Sequence, residues 1–358
     1  MIRLSWRQFQ AQAAVAVGLL VAVLILFATT RGNIDHLYTV FAKSNAACVN
    51  NPNCPGVSIN LSRLDELLEL IGTALVVVPA LIGVFWGAPL VAREFENGTH
   101  RLAWTQSVTR TRWLASKLVV VGIASVVATG LLSLLVTWWS EPIDHARHDR
   151  FGSGLFGMRN ITPLGYAAFG FALGVVAGLL IRRTLPAMAA TIVAFLAVRL
   201  TFTYMVRPNI FSPKHKTLAL DPNNMGFGST NGGPATLMPN PPNLPNAWVY
   251  STHVVDSAGH GLTSATVQAT CPSLPFPGNG GGPPPGSGTR VRVAGGPGGV
   301  QDPLHDCVTK LSATYHEVVT YQPANRYWTL QWGETLVYFA LALAIAGICF
   351  WWIRRRAR

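Results

Sequence analysis

Six long apolar blocks, at residues 13–29, 70–91, 118–139, 163–181, 185–206 and 335–353, constrain this 358-residue chain more than any other feature. An α-helix rises about 1.5 Å per residue, so runs of roughly 17 to 22 residues match a hydrocarbon core about 30 Å thick. None alternates with a period of two, and lipid offers backbone N–H and C=O groups no partner, so each block is expected to be a transmembrane α-helix rather than a barrel strand. Charged residues make up 12% of the chain, about half the share in an average soluble protein, which excludes a soluble enzyme. The expected fold is an all-α membrane protein with six spans.

Orientation follows from the cations. Segments 1–12, 92–117, 182–184 and 354–358 carry thirteen Lys and Arg, whereas an equal number is spread over a fourfold longer stretch on the other side. Cations close to span ends stay cytoplasmic, so both termini are expected inside. The net charge of +12 is thereby a topological signal, and no separate basic domain points to nucleic acid. Arg3 and Arg7 precede the first block as in a signal peptide, but no small-residue cleavage site fits, and a retained anchor is expected. Trp86, Trp351 and Trp352 at inner span ends, with Trp138, Trp139, Trp328 and Trp332 near outer ends, fit rings held at headgroup level.

Three regions follow: residues 1–207 with five spans, an outer loop or cap at 208–333, and residues 334–358 with the sixth span and a basic tail. Seventeen Pro and seventeen Gly fall within 208–333, a density that argues for irregular structure, with 275–299 expected to be disordered and 247–255 strand-like. In the first outer loop, 30–69, the leucines of 61–70 recur at helical spacing. Cys48, Cys54, Cys271 and Cys307 all fall in outer loops, which suits disulfides. Four cysteines allow three pairings, of which Cys48 with Cys54 and Cys271 with Cys307 is preferred. No histidine is spaced with them as zinc requires, so no metal site is expected.

Within the spans, Gly170, Gly174 and Gly178 lie on one helical face and allow close helix approach, inside the subunit or at a subunit interface. Only Arg182, Arg183 and Thr184 separate spans four and five, which requires a tight hairpin. Arg199 is the one cation inside a span and either snorkels outward as an anchor or faces the translocation path. Asp144, His145, His148 and Asp149 could form a metal or acid/base site, although a solvated loop explains them more simply. No Walker A string, HExxH or GxSxG is present, so no catalytic residue is assigned.

The cytoplasmic loop 92–117 is the informative polar segment. Its Arg93-Glu94-x-Glu96-x-Gly98-Thr99 string, the Arg112-Trp113-x-x-x-Lys117 string that leads into the third span, and residues 321–356 resemble the six-helix, type-2 membrane subunit of an ATP-binding-cassette exporter, especially the stand-alone permeases of actinobacteria. The resemblance implies a bacterial plasma-membrane permease that binds no cofactor itself. ATP and Mg²⁺ would sit on a separate cytoplasmic ATPase, and the permease would pair as a homodimer or with a second permease. Arg93, Glu94, Glu96, Gly98, Thr99, Arg101, Leu102, Trp104 and Arg112 would form the coupling element, and residues 2–9, with Trp6 and Phe9 between the arginines, an interfacial helix. Two other classes stay open. A membrane-embedded enzyme would need paired polar groups at one depth, where the spans offer Arg199 alone, and a sensor or assembly factor would bind an exterior ligand through 208–333.

Overall fold

The computed structural model describes residues 2–48, 75, 77–98, 109–147, 150–151, 156–222, 225–228, 236–239, 244, 246–272 and 303–356. The apolar runs become helices, joined by two short polar ones, in chain order: α1 (Ile2–Cys48), α2 (Val77–Glu96), α3 (Arg110–Arg147), α4 (Thr162–Ile181), α5 (Thr184–Thr201), α6 (Ser264–Thr270), α7 (Pro303–Leu311) and α8 (Tyr327–Arg356). Among the described residues six of these, α1 to α5 and α8, are long and apolar enough to cross a membrane. The chain divides into two units, one holding Met1–Phe211 with Asn325–Arg358 and the other Ser212–Ala324.

Several boundaries differ from the hydropathy reading, because hydrogen-bonded helix continues past the apolar core wherever no breaker stops it. Residues 2–9 are not a separate interfacial helix but the first turns of α1, since no Pro or Gly intervenes before the span. The same helix carries on through 30–48, the start of the expected outer loop. α3 runs on to Arg147, so Asp144 and His145 are helical. α8 starts at Tyr327, two turns before the apolar block, which makes Gln331 and Glu334 helical and moves residues 325–333 out of the cap. Residues 61–70 and 275–299 lie outside the described residues.

Apolar on every side, α4 is the buried hub of its unit, in contact with α2, α3, α5 and α8. Its glycine stripe faces α2 within the same chain. A Cβ on Gly170 would lie 2.6 Å from the carbonyl oxygen of Pro79, one on Gly178 2.6 Å from that of Ala88, and one on Gly174 closer still to that of Gly83. At this contact α2 widens into a π turn, Gly83–Gly87. The Phe85 carbonyl in that turn accepts a hydrogen bond from Gln12 Nε2 at 3.1 Å, and Trp86 meets Phe9 edge-on at 4.7 Å, which joins α1 to α2. Farther along, Phe27 stacks on Trp139 at 4.7 Å. Trp86 and Trp139 are therefore core residues, while Trp138, Trp328, Trp332 and Trp351 are the exposed ones.

The second unit has a three-stranded antiparallel sheet of order β1-β5-β4, from β1 (Lys214–Leu218), β4 (Trp248–Asp256) and β5 (Tyr315–Gln322), and a separate pair, β2 (Met225–Gly228) with β3 (Thr236–Pro239). The strand-like run at 247–255 is β4. Leu220, Leu237, Val254, Val267, Val308 and Leu311 pack as its core. Cys271 and Cys307 join α6 to α7 in a disulfide, with Cα atoms 5.5 Å apart. Cys48 ends α1 and Cys54 lies outside the described residues.

Candidate functional site

The helices place polar side chains at both ends of the bundle. At one end α2 finishes with Asn97 as its cap and Gly98 at φ +67°, a left-handed turn that glycine adopts without strain. Its last turn brings two carboxylates to two different helices. Glu94 pairs with Lys117 Nζ at 2.5 Å and accepts from Trp113 Nε1 at 3.1 Å, both on α3. Lys117 also donates to the Leu90 carbonyl at 3.2 Å and lies 5.1 Å from the Trp113 ring centroid. Glu96 accepts from the Thr184 backbone N–H at 3.0 Å and from its hydroxyl, which caps the first turn of α5 with a negative charge where the helix dipole favours one.

These contacts flank the segment between Gly98 and Thr109. Arg93, Glu94, Glu96 and Gly98 stand on its incoming side, and Arg112 on its outgoing side, where the Arg112 N–H donates to Thr109 Oγ1 at 3.3 Å. Thr99, Arg101, Leu102 and Trp104 lie outside the described residues. The expected hairpin closes through Arg182, a non-glycine residue at φ 58° whose guanidinium sits 5.5 Å from the Phe95 ring.

At the opposite end Arg199 does not snorkel outward. It is 4% exposed and points into the bundle, 2.8 Å from Glu334 Oε1 on α8. Arg207, 3% exposed, grips the same carboxylate bidentately, with Nε 2.8 Å from Oε2 and Nη2 2.8 Å from Oε1. The Tyr166 hydroxyl on α4 accepts from Arg199 at 2.5 Å and from Arg207 at 3.3 Å while donating to Glu334. Arg199 also covers the Tyr166 ring at 3.9 Å, and Tyr338 meets that ring edge-on at 4.7 Å. One layer away, Gln331 accepts from the Thr162 N–H at 3.2 Å and donates to the Phe156 carbonyl at 2.9 Å.

A π turn, Phe202–Val206, explains how two arginines eight residues apart share a face. In a regular helix they would diverge by about 80°, and the extra residue of one π turn offsets about 100°, which leaves the two within about 20° of one another. Paired polar groups at one depth therefore exist, contrary to the expectation that Arg199 stands alone. Arg207 sits one residue past the fifth apolar block and Glu334 one before the sixth, so hydropathy left both just outside the spans. Charged residues flanking two neighbouring spans on the same side were the available signal.

Among the described residues no group of three His, Cys, Asp and Glu could hold a metal, and His148 and Asp149 lie outside them. No curated protein and no solved structure matches this chain. A family described as ABC-2 membrane transporter related matches residues 17–207, more than half of its length and all of the first five spans but the beginning of α1. With six membrane-crossing helices and that match, the chain is a multi-pass membrane protein that belongs to the ABC-2 membrane transporter related family.

Proposed function

We propose that this chain is the permease subunit of an ATP-binding-cassette exporter, oriented with both termini in the cytoplasm and driven by a separate ATPase. The family match over residues 17–207 is the observation that carries the reading. The bracket at the Glu96 end supports a mechanism. A loop held to α3 through Glu94 and to α5 through Glu96 can pass a push from a partner to both helices at once. Motion of α5 would then reach α4 and α8 through Arg199 and Arg207. Coupled displacement of packed helices is how such proteins alternate access. The permease would work as a homodimer or with a second permease.

Because Glu94 and Glu96 are engaged within the chain, charge reversal there would disturb the bracket as well as any partner contact. Truncation of Leu102 and Trp104 is the cleaner test. The L102A/W104A variant is expected to reach the membrane at wild-type level while losing co-purification of its ATPase and substrate export together. Wild-type recovery of the ATPase with this variant would rule the loop out as the coupling element. The compact unit Ser212–Ala324, with a core of its own, is the observation that favours the sensor reading. A specific exterior ligand with no co-purifying ATPase would support that reading instead.

A further inference from the structure

Past Thr201 the fifth span stops being a regular helix. The Arg207 N–H donates to the Phe202 carbonyl, which closes the π turn, and a 3-10 turn, Arg207–Asn209, follows. A π turn takes in one residue more than an α turn without adding a backbone bond, so other contacts must hold it. Here they are few. Phe202 meets the Tyr338 ring at 5.2 Å and Arg207 grips Glu334, whereas Tyr204, Met205 and Val206 between them are 74%, 68% and 41% exposed.

The turn and the ion pair depend on each other. With the π turn in place Arg207 stands within about 20° of Arg199, and both reach Glu334. Rewound as α-helix, the same residues would put Arg207 about 80° from Arg199 and bring Val206, seven residues along, to about 20° from it. The charges also permit Arg207 to leave. Among the described residues Glu334 is the one acid that either arginine touches, so two buried guanidinia share a single carboxylate. An unmatched buried cation is costly, and departure of Arg207 would leave Arg199, Tyr166 and Glu334 as a neutral set. Because Arg207 lies just past the apolar block, its side chain can reach water once it swings out. Holding Arg207 gains a bidentate pair, and releasing it regains regular helix and removes the surplus charge. These opposed gains suit an element with two positions.

We propose that the π turn and Arg207 form a latch between the fifth and sixth spans. It is closed here, with Arg207 on Glu334. It opens when the turn rewinds to α-helix, which swings Arg207 out by about 100° and brings Val206 into its place. The latch rests on the geometry of α5 and α8 and stands or falls independently of the transport reading.

Spin-label spectroscopy of the full-length chain in detergent tests it, with a nitroxide on Val206→Cys and with Cys48, Cys54 and Cys349 replaced. Beside the native Arg207 the label is expected to be mobile, as an exposed side chain should be. Arg207→Ala is expected to rewind the turn and immobilise the label against α8, while Arg207→Lys, which keeps the ion pair, should leave it mobile. A label on Leu200→Cys, exposed and ahead of the turn, should be mobile throughout. Deleting Tyr204 removes the surplus residue and points Arg207 at Glu334 without a π turn, so in that background Arg207→Ala should no longer immobilise the label. Arg207→Ala leaves a neutral pair and should keep the wild-type elution volume, so its contrast with Arg207→Lys decides the matter even if the deletion fails to fold. Three outcomes would each overturn the latch: a label at Val206 that stays mobile in Arg207→Ala, one already immobile beside Arg207, or immobilisation that persists with Tyr204 deleted.

Discussion

At Glu334 one carboxylate faces two guanidinia and a phenol, so substitutions among these four side chains have unequal consequences. Removing Glu334 strands two buried cations, whereas removing either arginine leaves a neutral pair. Breaking a buried ion pair costs roughly 3–5 kcal/mol. Glu334→Gln should therefore lower the unfolding temperature in detergent well below both Arg199→Gln and Arg207→Gln, and equal losses in all three would refute the asymmetry. In the second unit Glu317 is buried, its Oε1 has no hydrogen-bond partner among the described residues, and burial beside the negative Asp221 pushes its carboxyl above the usual range. An acid whose pKa is raised by folding favours the folded state only while protonated. Its contribution is full below the unfolded pKa and is lost as pH rises through the folded one. Glu317→Gln should accordingly slow amide exchange in β4 and β5 at pH 7, with the difference shrinking toward pH 4. Asp256 has the opposite sign, held low by the His260 N–H, the His260 ring and the Ala258 N–H, so that turn loosens only in acid. Arg199 was legible from sequence because an isolated charge inside an apolar block stands out. Glu334 and Arg207 were not, since a charge at a block's edge falls outside the apolar run and is not counted with the span until the helix is known to continue.

The stripe on α4 and the π turn on α2 form a single contact between two backbones. At Gly174 an added methyl meets the Gly83 carbonyl oxygen, an atom no rotamer change can move, whereas at Gly18 nothing among the described residues lies within 4 Å. Overpacking of this kind costs about 1–3 kcal/mol. Gly174→Ala should thus destabilise by that amount, and Gly18→Ala should be neutral or slightly stabilising, as expected for an open helical position. Thermal unfolding of the two variants in the same detergent decides it. The glycine spacing was readable in advance because small residues four apart define a face. Its partner was not, because the π turn that brings Gly83 and Gly87 against the stripe has no hydropathy signature. The strands of the second unit were mostly hidden for another reason. β1 pairs with β5, with Lys214 opposite Tyr321, and a pairing across so much chain leaves little local pattern beyond the β-branched run in β4.

Across the chain the cation count makes the firmest claim, with both termini on one side. Single cysteines placed at Ser107 and Ser229, in a background lacking the native ones, should respond oppositely to an impermeant thiol reagent on intact cells. Labelling of Ser107→Cys from outside would invert the orientation. Span existence was legible almost completely, since hydropathy integrates over some twenty residues, whereas span ends were not, because helices continue past their apolar cores as α1, α3 and α8 do. The Cys271–Cys307 bond spans 36 positions and should add roughly 3–4 kcal/mol to its unit on chain-entropy grounds. The bond also decides what a protease leaves behind. A single cut anywhere between the two cysteines would yield two fragments that migrate as one band on a gel until reductant is added, and the severed chain would still carry α8 covalently joined to α1–α5.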